Sequence, residues 1–135
     1  MAVFVLKDAS LTVNAVSLSS YVQSITLDFA VDAISVDSMG NNGHQFIGGL
    51  QNNSVTVTFN QDFAASQVAA TMDALVGTTT TVVIKPTSAA VSATNPSYTI
   101  TNIFVSSTQP VNGATGDLAQ FSTTMTGGTI VKATS

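Results

Sequence analysis

The stretch Ser24-Ile25-Thr26-Leu27-Asp28-Phe29-Ala30-Val31 alternates polar and apolar residues, and Ser54-Val55-Thr56-Val57-Thr58-Phe59-Asn60 does so again further along the chain. Alternation with a period of two is what a β-strand shows when one face is buried and the other wet. Ile25, Leu27, Phe29 and Val31 are therefore expected to face one way, with Ser24, Thr26, Asp28 and Ala30 facing the other. Three further segments read as strands: residues 80–85, rich in β-branched side chains, residues 98–105, and residues 118–125. In 98–105, Tyr98, Ile100 and Phe104 share one face while Ile103 and Val105 lie opposite, which implies burial on both sides. At the start, residues 3–6 are expected to pair with residues 11–13 in a small hairpin. Asn14 and Ala15 would make a tight turn before residues 16–18, because Asn tolerates positive φ.

One segment breaks the rhythm. In residues 64–76, Val68, Met72, Leu75 and Val76 recur at i, i+4, i+7 and i+8, which predicts a helix of about three turns. Asp62 is placed to cap its start and Gly77 to end it in the left-handed conformation. Its apolar stripe should close one end or face of the sheets. Two loops stand out. Met39-Gly40-Asn41-Asn42-Gly43 separates two extended runs, residues 24–37 and 44–59, each longer than an ordinary strand of five or six residues. Part of that hairpin is expected to extend beyond the body. The other loop, residues 86–96, carries a proline at each end and reads as an ordered surface crossing or short linker.

Composition limits what the chain can do. Its charge comes from three lysines and seven aspartates, with no Arg and no Glu, for a net charge of -4. Soluble domains normally devote about a quarter of their residues to charge, and a dispersed monomer needs a charged, mixed surface. A surface of Ser, Thr, Asn and Gln repels copies of itself weakly, so self-association in an ordered assembly is the simplest reading. The 135 residues fit one domain, 1–135, with a real core. The absence of Cys excludes disulfides and thiolate sites. The first ten residues do not read as a signal peptide, and no run approaches the roughly 20 apolar residues of a membrane span. Synthesis in a cytoplasm, with no membrane partner, is the expectation. Three scattered lysines make no basic patch for phosphates.

Candidate chemistry is thin. His44 is the only histidine, and a Ser-His-Asp set can be drawn on paper in almost any Ser-rich chain; a solvated or interface role fits its Gly/Asn loop better. Asp28 and Asp32 would lie about 13 Å apart on one strand face, too far to share a cation with Asp37. No Trp and only two Tyr leave no stacking platform for sugars or bases. No enzyme activity, cofactor or metal is expected. Phe46 is either a core residue of the returning strand or an anchor on a projecting arm. An unpaired extended arm is an aggregation hazard in a monomer and a means of strand addition in an oligomer.

The runs Val13-Asn14-Ala15-Val16-Ser17-Leu18-Ser19-Ser20-Tyr21-Val22, Ser24-Ile25-Thr26-Leu27 and Asp37-Ser38-Met39-Gly40 resemble the opening of small tail proteins of long-tailed bacteriophages. Phe59-Asn60-Gln61-Asp62-Phe63, Leu75-Val76-Gly77-Thr78 and Lys85-Pro86-Thr87-Ser88 resemble tail proteins of actinobacterial phages in particular. Ala15 departs from the pattern, which more often has Gly there. The resemblance implies a mainly β fold, a β-sandwich with one flanking α-helix and a long protruding hairpin loop. It also implies self-assembly into stacked hexameric rings that form a tail tube, alongside other tail proteins in the virion, with DNA passing through without specific binding. Met39, Gly40, Asn41, Asn42, Gly43, His44, Gln45, Phe46 and Ile47 would then contact the adjacent subunit or ring. Ser24, Thr26 and Asp28 would be candidates for the lumen wall. A head decoration or tail-end ring protein is the alternative, and a secreted binding module a further one.

Overall fold

The computed structural model describes residues 3–65 and 67–135. Strand β1 (Ser10–Val13) turns through Asn14 and Ala15 into β2 (Val16–Ser17), with Thr12 opposite Ser17. Both turn residues have positive φ, 50° and 66°, the mirror-image turn whose twist matches a two-residue hairpin. The expected pairing of residues 3–6 with 11–13 does not form. β1 has two edges, and β2 takes one while β7 (Thr79–Lys85) takes the other, with Leu11 opposite Ile84. Residues 3–6 run on outside the strands.

After a 3-10 turn at Ser19–Tyr21 come β3 (Val22–Asp28), β4 (Val31–Ser35), β5 (Phe46–Gln51) and β6 (Ser54–Asn60). Helix α1 (Val68–Leu75) precedes β7, and β8 (Ser97–Thr108), β9 (Gln120–Thr126) and β10 (Thr129–Ala133) finish the chain. All the pairings are antiparallel. The main sheet runs β2-β1-β7-β8-β9-β6-β3, β10 also pairs with β8, and β4 and β5 form a separate two-stranded sheet.

Strand β8 joins two layers. Its first half pairs with β10, Ile100 opposite Ile130, and its second half with β9, Val105 opposite Met125. At the changeover Asn102 has φ 58°, and two residues stand against one between the pairs Val82–Ile100 and Thr80–Ile103. This bulge resets the alternation. Ile100, Ile103 and Val105 therefore all enter the core and Phe104 is left exposed, in place of the two-sided burial expected from the sequence. Gly128 fits against the same bulge: a Cβ there would lie 2.5 Å from the carbonyl oxygen of Thr101.

Inward residues from both ends of the sheet share one core, from Val55, Val57 and Phe59 on β6 to Leu11, Val82, Ile84 and Ile130 across the molecule, which makes the sheet a sandwich folded over itself. Phe59 stacks on Phe121 with centroids 5.2 Å apart. Helix α1 contributes buried Val68 and Met72. It is shorter than expected. Ser66 lies outside the described residues, and the N-cap is Gln67 with no side-chain cap bond. Asp62 instead accepts the Ala64 N–H at 2.9 Å and the Tyr21 hydroxyl at 3.1 Å, so it fastens the approach to the helix instead of capping it. Burial first, and the Asp62 carboxylate second, push the Tyr21 phenol up. Gly77, φ 83°, ends the helix as expected. The loop 86–96 is an ordered crossing. Buried Asn95 accepts the Thr87 N–H at 3.1 Å and donates to the carbonyls of Ala89 and Ala90.

Candidate assembly arm and polar sheet face

The runs 24–37 and 44–59 do form one long hairpin, but it has two parts. In the base, β3 and β6 are joined in register from Asp28–Ser54 to Ile25–Val57. Beyond Phe29 and Ala30 the chain continues as β4, which among the described residues pairs only with β5: Ser35 opposite Phe46, Ile34 opposite Ile47. Every residue of β4 is exposed and β5 is little better covered. This is a two-stranded arm that leaves the body.

The arm is apolar on both faces. Ile34 and Ile47 form a cross-strand pair on one face, with Val36 and Asp32 at the same strand parity. Val31, Ala33 and Phe46 lie on the other. Two glycines allow this. A Cβ at Gly49 would stand 2.8 Å from Ile34 Cδ1, and one at Gly48 3.3 Å from Val31 Cγ1, so the large side chains of β4 lie flat across the bare backbone of β5. Phe46 is 59% and Ile47 55% exposed, which decides between the two readings of Phe46: it is on the arm, not in the core. A lone two-stranded hairpin is marginal in water, and contiguous exposed apolar surface marks an interaction site.

The tip is tied by one carboxylate. Asp37 Oδ2 lies 2.7 Å from His44 Nδ1, and Asp37 Oδ1 accepts the Gln45 N–H at 2.5 Å. The His44 bond, then the Gln45 bond, hold the Asp37 carboxyl below its ordinary range. Val36 N–H also reaches the Gln45 carbonyl at 2.9 Å, and Gly40 turns with φ 95°. His44 thus braces a turn, with its ring largely in solvent. Among the described residues no three His, Asp, Glu or Cys side chains group as a metal site would need, and no helix is long and apolar enough to cross a membrane.

The root is held by Asn53, which the sequence reading passed over. Fully buried, it accepts the Ala30 N–H at 3.2 Å and donates to Gln51 Oε1 at 2.9 Å and to the Gly128 carbonyl at 3.1 Å. Its own carbonyl accepts the Gly127 N–H at 2.8 Å, and Gln51 Oε1 accepts the Ile130 N–H. One amide therefore joins the two arm strands to the β9–β10 turn. The polar run Gln51-Asn52-Asn53, set between two extended segments, was the available signal.

Ser24, Thr26 and Asp28 lie on the outer face of β3, exposed. Across the ladder stand Thr58, Thr56 and Ser54, and beyond them Ser122, Thr124 and Thr126. The structure brings these together as one hydroxyl-covered face with Asp28 at its arm end. It does not bring them to the arm tip, residues 39–47, which lies past the β3–β4 break.

No family model and no curated protein matches the chain. Solved structures do match its fold. It is similar to a chain of the virion of a native gene transfer agent particle, with TM-score 0.76 at 11% identity over 97% of this chain and 99% of that one. A second is a chain of the sheath/tube terminator of the extracellular contractile injection system PVC in its extended state, with TM-score 0.72 at 13% identity over 98% and 97%. A third is the SPP1 tail tube, with TM-score 0.72 at 11% identity over 95% and 77%. The fold is thus a tail-tube fold: a mainly β, antiparallel sandwich with one helix. At these identities the likeness is one of fold.

Proposed function

We propose that the chain is a structural subunit of a phage tail tube, self-assembling into stacked hexameric rings in the virion tail and performing no catalysis. The observation that carries this is the projecting arm, apolar on both faces and uncovered, on a body whose fold matches a gene transfer agent virion chain and a sheath/tube terminator chain over nearly their whole length, and the SPP1 tail tube over most of its length. In this reading Met39 to Ile47 at the arm tip contact a neighbouring subunit or ring. The hydroxyl face bearing Ser24, Thr26 and Asp28 lines the lumen, where it offers DNA no cationic row to hold phosphates. Other tail proteins meet the tube at its ends. A phage of actinobacteria as the source is part of the proposal and rests on the sequence motifs alone.

The test is negative-stain microscopy of the concentrated chain beside a variant with residues 39–47 replaced by a short Gly-Ser turn. Hollow tubes from the parent and folded monomers from the variant are expected. Tubes from both would overturn the role of the arm. A second reading, a ring that ends a tail, is favoured by the terminator match; it predicts closed rings with no open-ended polymer.

A further inference from the structure

The body carries an uncovered apolar surface of its own. An open groove of about 410 Å³ lies between the start of the chain and the edge strand β3, floored by Leu6, Ile25, Leu27, Ile84 and Tyr98. It forms because β3, at one end of the sheet, has no strand on its outer edge among the described residues, and the β1–β2 hairpin at the other end does not pair with it; residues 3–9 run outside the strands, with Leu6 and Ala9 against the groove.

One lysine lines the groove and the other two are next to residues that do. Lys85 lines it, Lys132 stands 5.9 Å over the Tyr98 ring, and Lys7 follows the lining residue Leu6. These are the three lysines of the sequence. Asp8, held by the Ser88 hydroxyl at 3.0 Å, is the acid nearby. Among the described residues no lysine is paired with an aspartate. The arm has the opposite character: Asp32 and Asp37, with His44 at the tip, and no lysine. Asp32 shares a face with Ile34 and Ile47.

Resting on the tube reading, we infer that this groove receives the arm of a second copy, with the Ile34–Ile47 face against the apolar floor and Asp32 toward the lysine rim. Complementary charge favours this partner over a neutral apolar ligand and sets which face enters. The donor and the receptor are different surfaces of one chain, so each copy that gives an arm still has an open groove. Such a contact either closes a ring or extends a polymer.

The chain has no cysteine, so cross-linking is clean. Ile47→Cys chains are mixed with Leu6→Cys chains under conditions where both assemble, then oxidised. The expected result is a cross-linked dimer, several-fold more abundant than from Phe46→Cys with Leu6→Cys, which places the thiol on the opposite arm face. Assembled particles with no such dimer, or with no preference for Ile47 over Phe46, overturn the groove and leave the tube reading standing. Failure of the unaltered chain to assemble at any concentration overturns both. Particles that lack the dimer and still bind the dye anilinonaphthalene sulfonate in the groove assign it to a small apolar ligand instead. If the cysteine chains alone fail to assemble, charge decides. Lys85→Glu with Lys132→Glu should raise the concentration needed for assembly about tenfold, and adding Asp32→Lys should reverse most of that rise. No rise, or no reversal, sinks the proposal.

Discussion

One hairpin serves two opposite purposes. In its base, Val55, Val57 and Phe59 are fully buried and their polar neighbours face out, as a half-buried strand requires. In its arm, a few residues further along the same two chain segments, Ile34, Phe46, Ile47 and Leu50 are as apolar as the base and half or more exposed. Hydrophobicity alone therefore does not distinguish the halves. What differs is the partner: β6 has β9 on its far side and a core beneath, whereas β5, among the described residues, has only β4. The base is stabilised within the chain, and the arm is left to be stabilised by something else.

Phenylalanine truncation should separate the two most sharply. Phe59→Ala removes a ring stacked in the core and is expected to cost roughly 3–5 kcal/mol in urea unfolding. Phe46→Ala should change monomer stability by less than about 0.5 kcal/mol, as exposed substitutions do, while impairing assembly. A comparable loss for both would mean that the arm folds onto its own body. At the joint, Asn53→Ala strands the Ala30 N–H and the Gly128 carbonyl and should cost about 1–3 kcal/mol. Amide exchange should show the arm amides losing protection well before those of β6; equal loss would make the joint part of the core.

A smaller effect belongs to the body alone. Ala15 holds φ 66°, where an L side chain crowds its own carbonyl. Ala15→Gly relieves that strain, less glycine's greater entropy loss on folding, and should raise stability by about 0.5–1 kcal/mol, read as a shift in Tm, with assembly unchanged. The smallest effect belongs to the arm alone. Because the Asp37 carboxyl titrates below its ordinary value in the folded chain, its contribution is present above about pH 4. It is lost as pH falls through the lowered value. The Gln45 amide should then exchange faster, with β6 unaffected, and Asp37→Asn should exchange fast already at neutral pH.

The base was readable because alternation survives in Ile25, Leu27, Val55, Val57 and Phe59, and the arm because the hairpin was too long for one body. The break between them was not readable. Phe29 and Val31 keep the parity of Ile25 and Leu27, so the pattern runs on across a joint fixed by the buried amide of Asn53 and by the Asn52 N–H on the Ala30 carbonyl. The bulge at Asn102 was hidden for a related reason: a single left-handed residue moved Ile103 to the core face without changing any residue type. The helix start was misplaced because Asp62 is a good cap by composition, yet its oxygens are taken by Tyr21 and Ala64. That Ser24, Thr26 and Asp28 share one face was legible. Their place relative to the arm depends on long-range pairing that local pattern does not carry.

The knot at Asn53 also has a mechanical meaning. Two backbone strands alone would let the arm pivot like a hinge. With a single amide bonded to Ala30, Gln51 and Gly128 at once, a sideways load on the arm must strain the β9–β10 turn as well, and through β8 both layers of the sandwich. In a filament held by such arms, a bend would load these buried pins in shear as well as the contacts between copies.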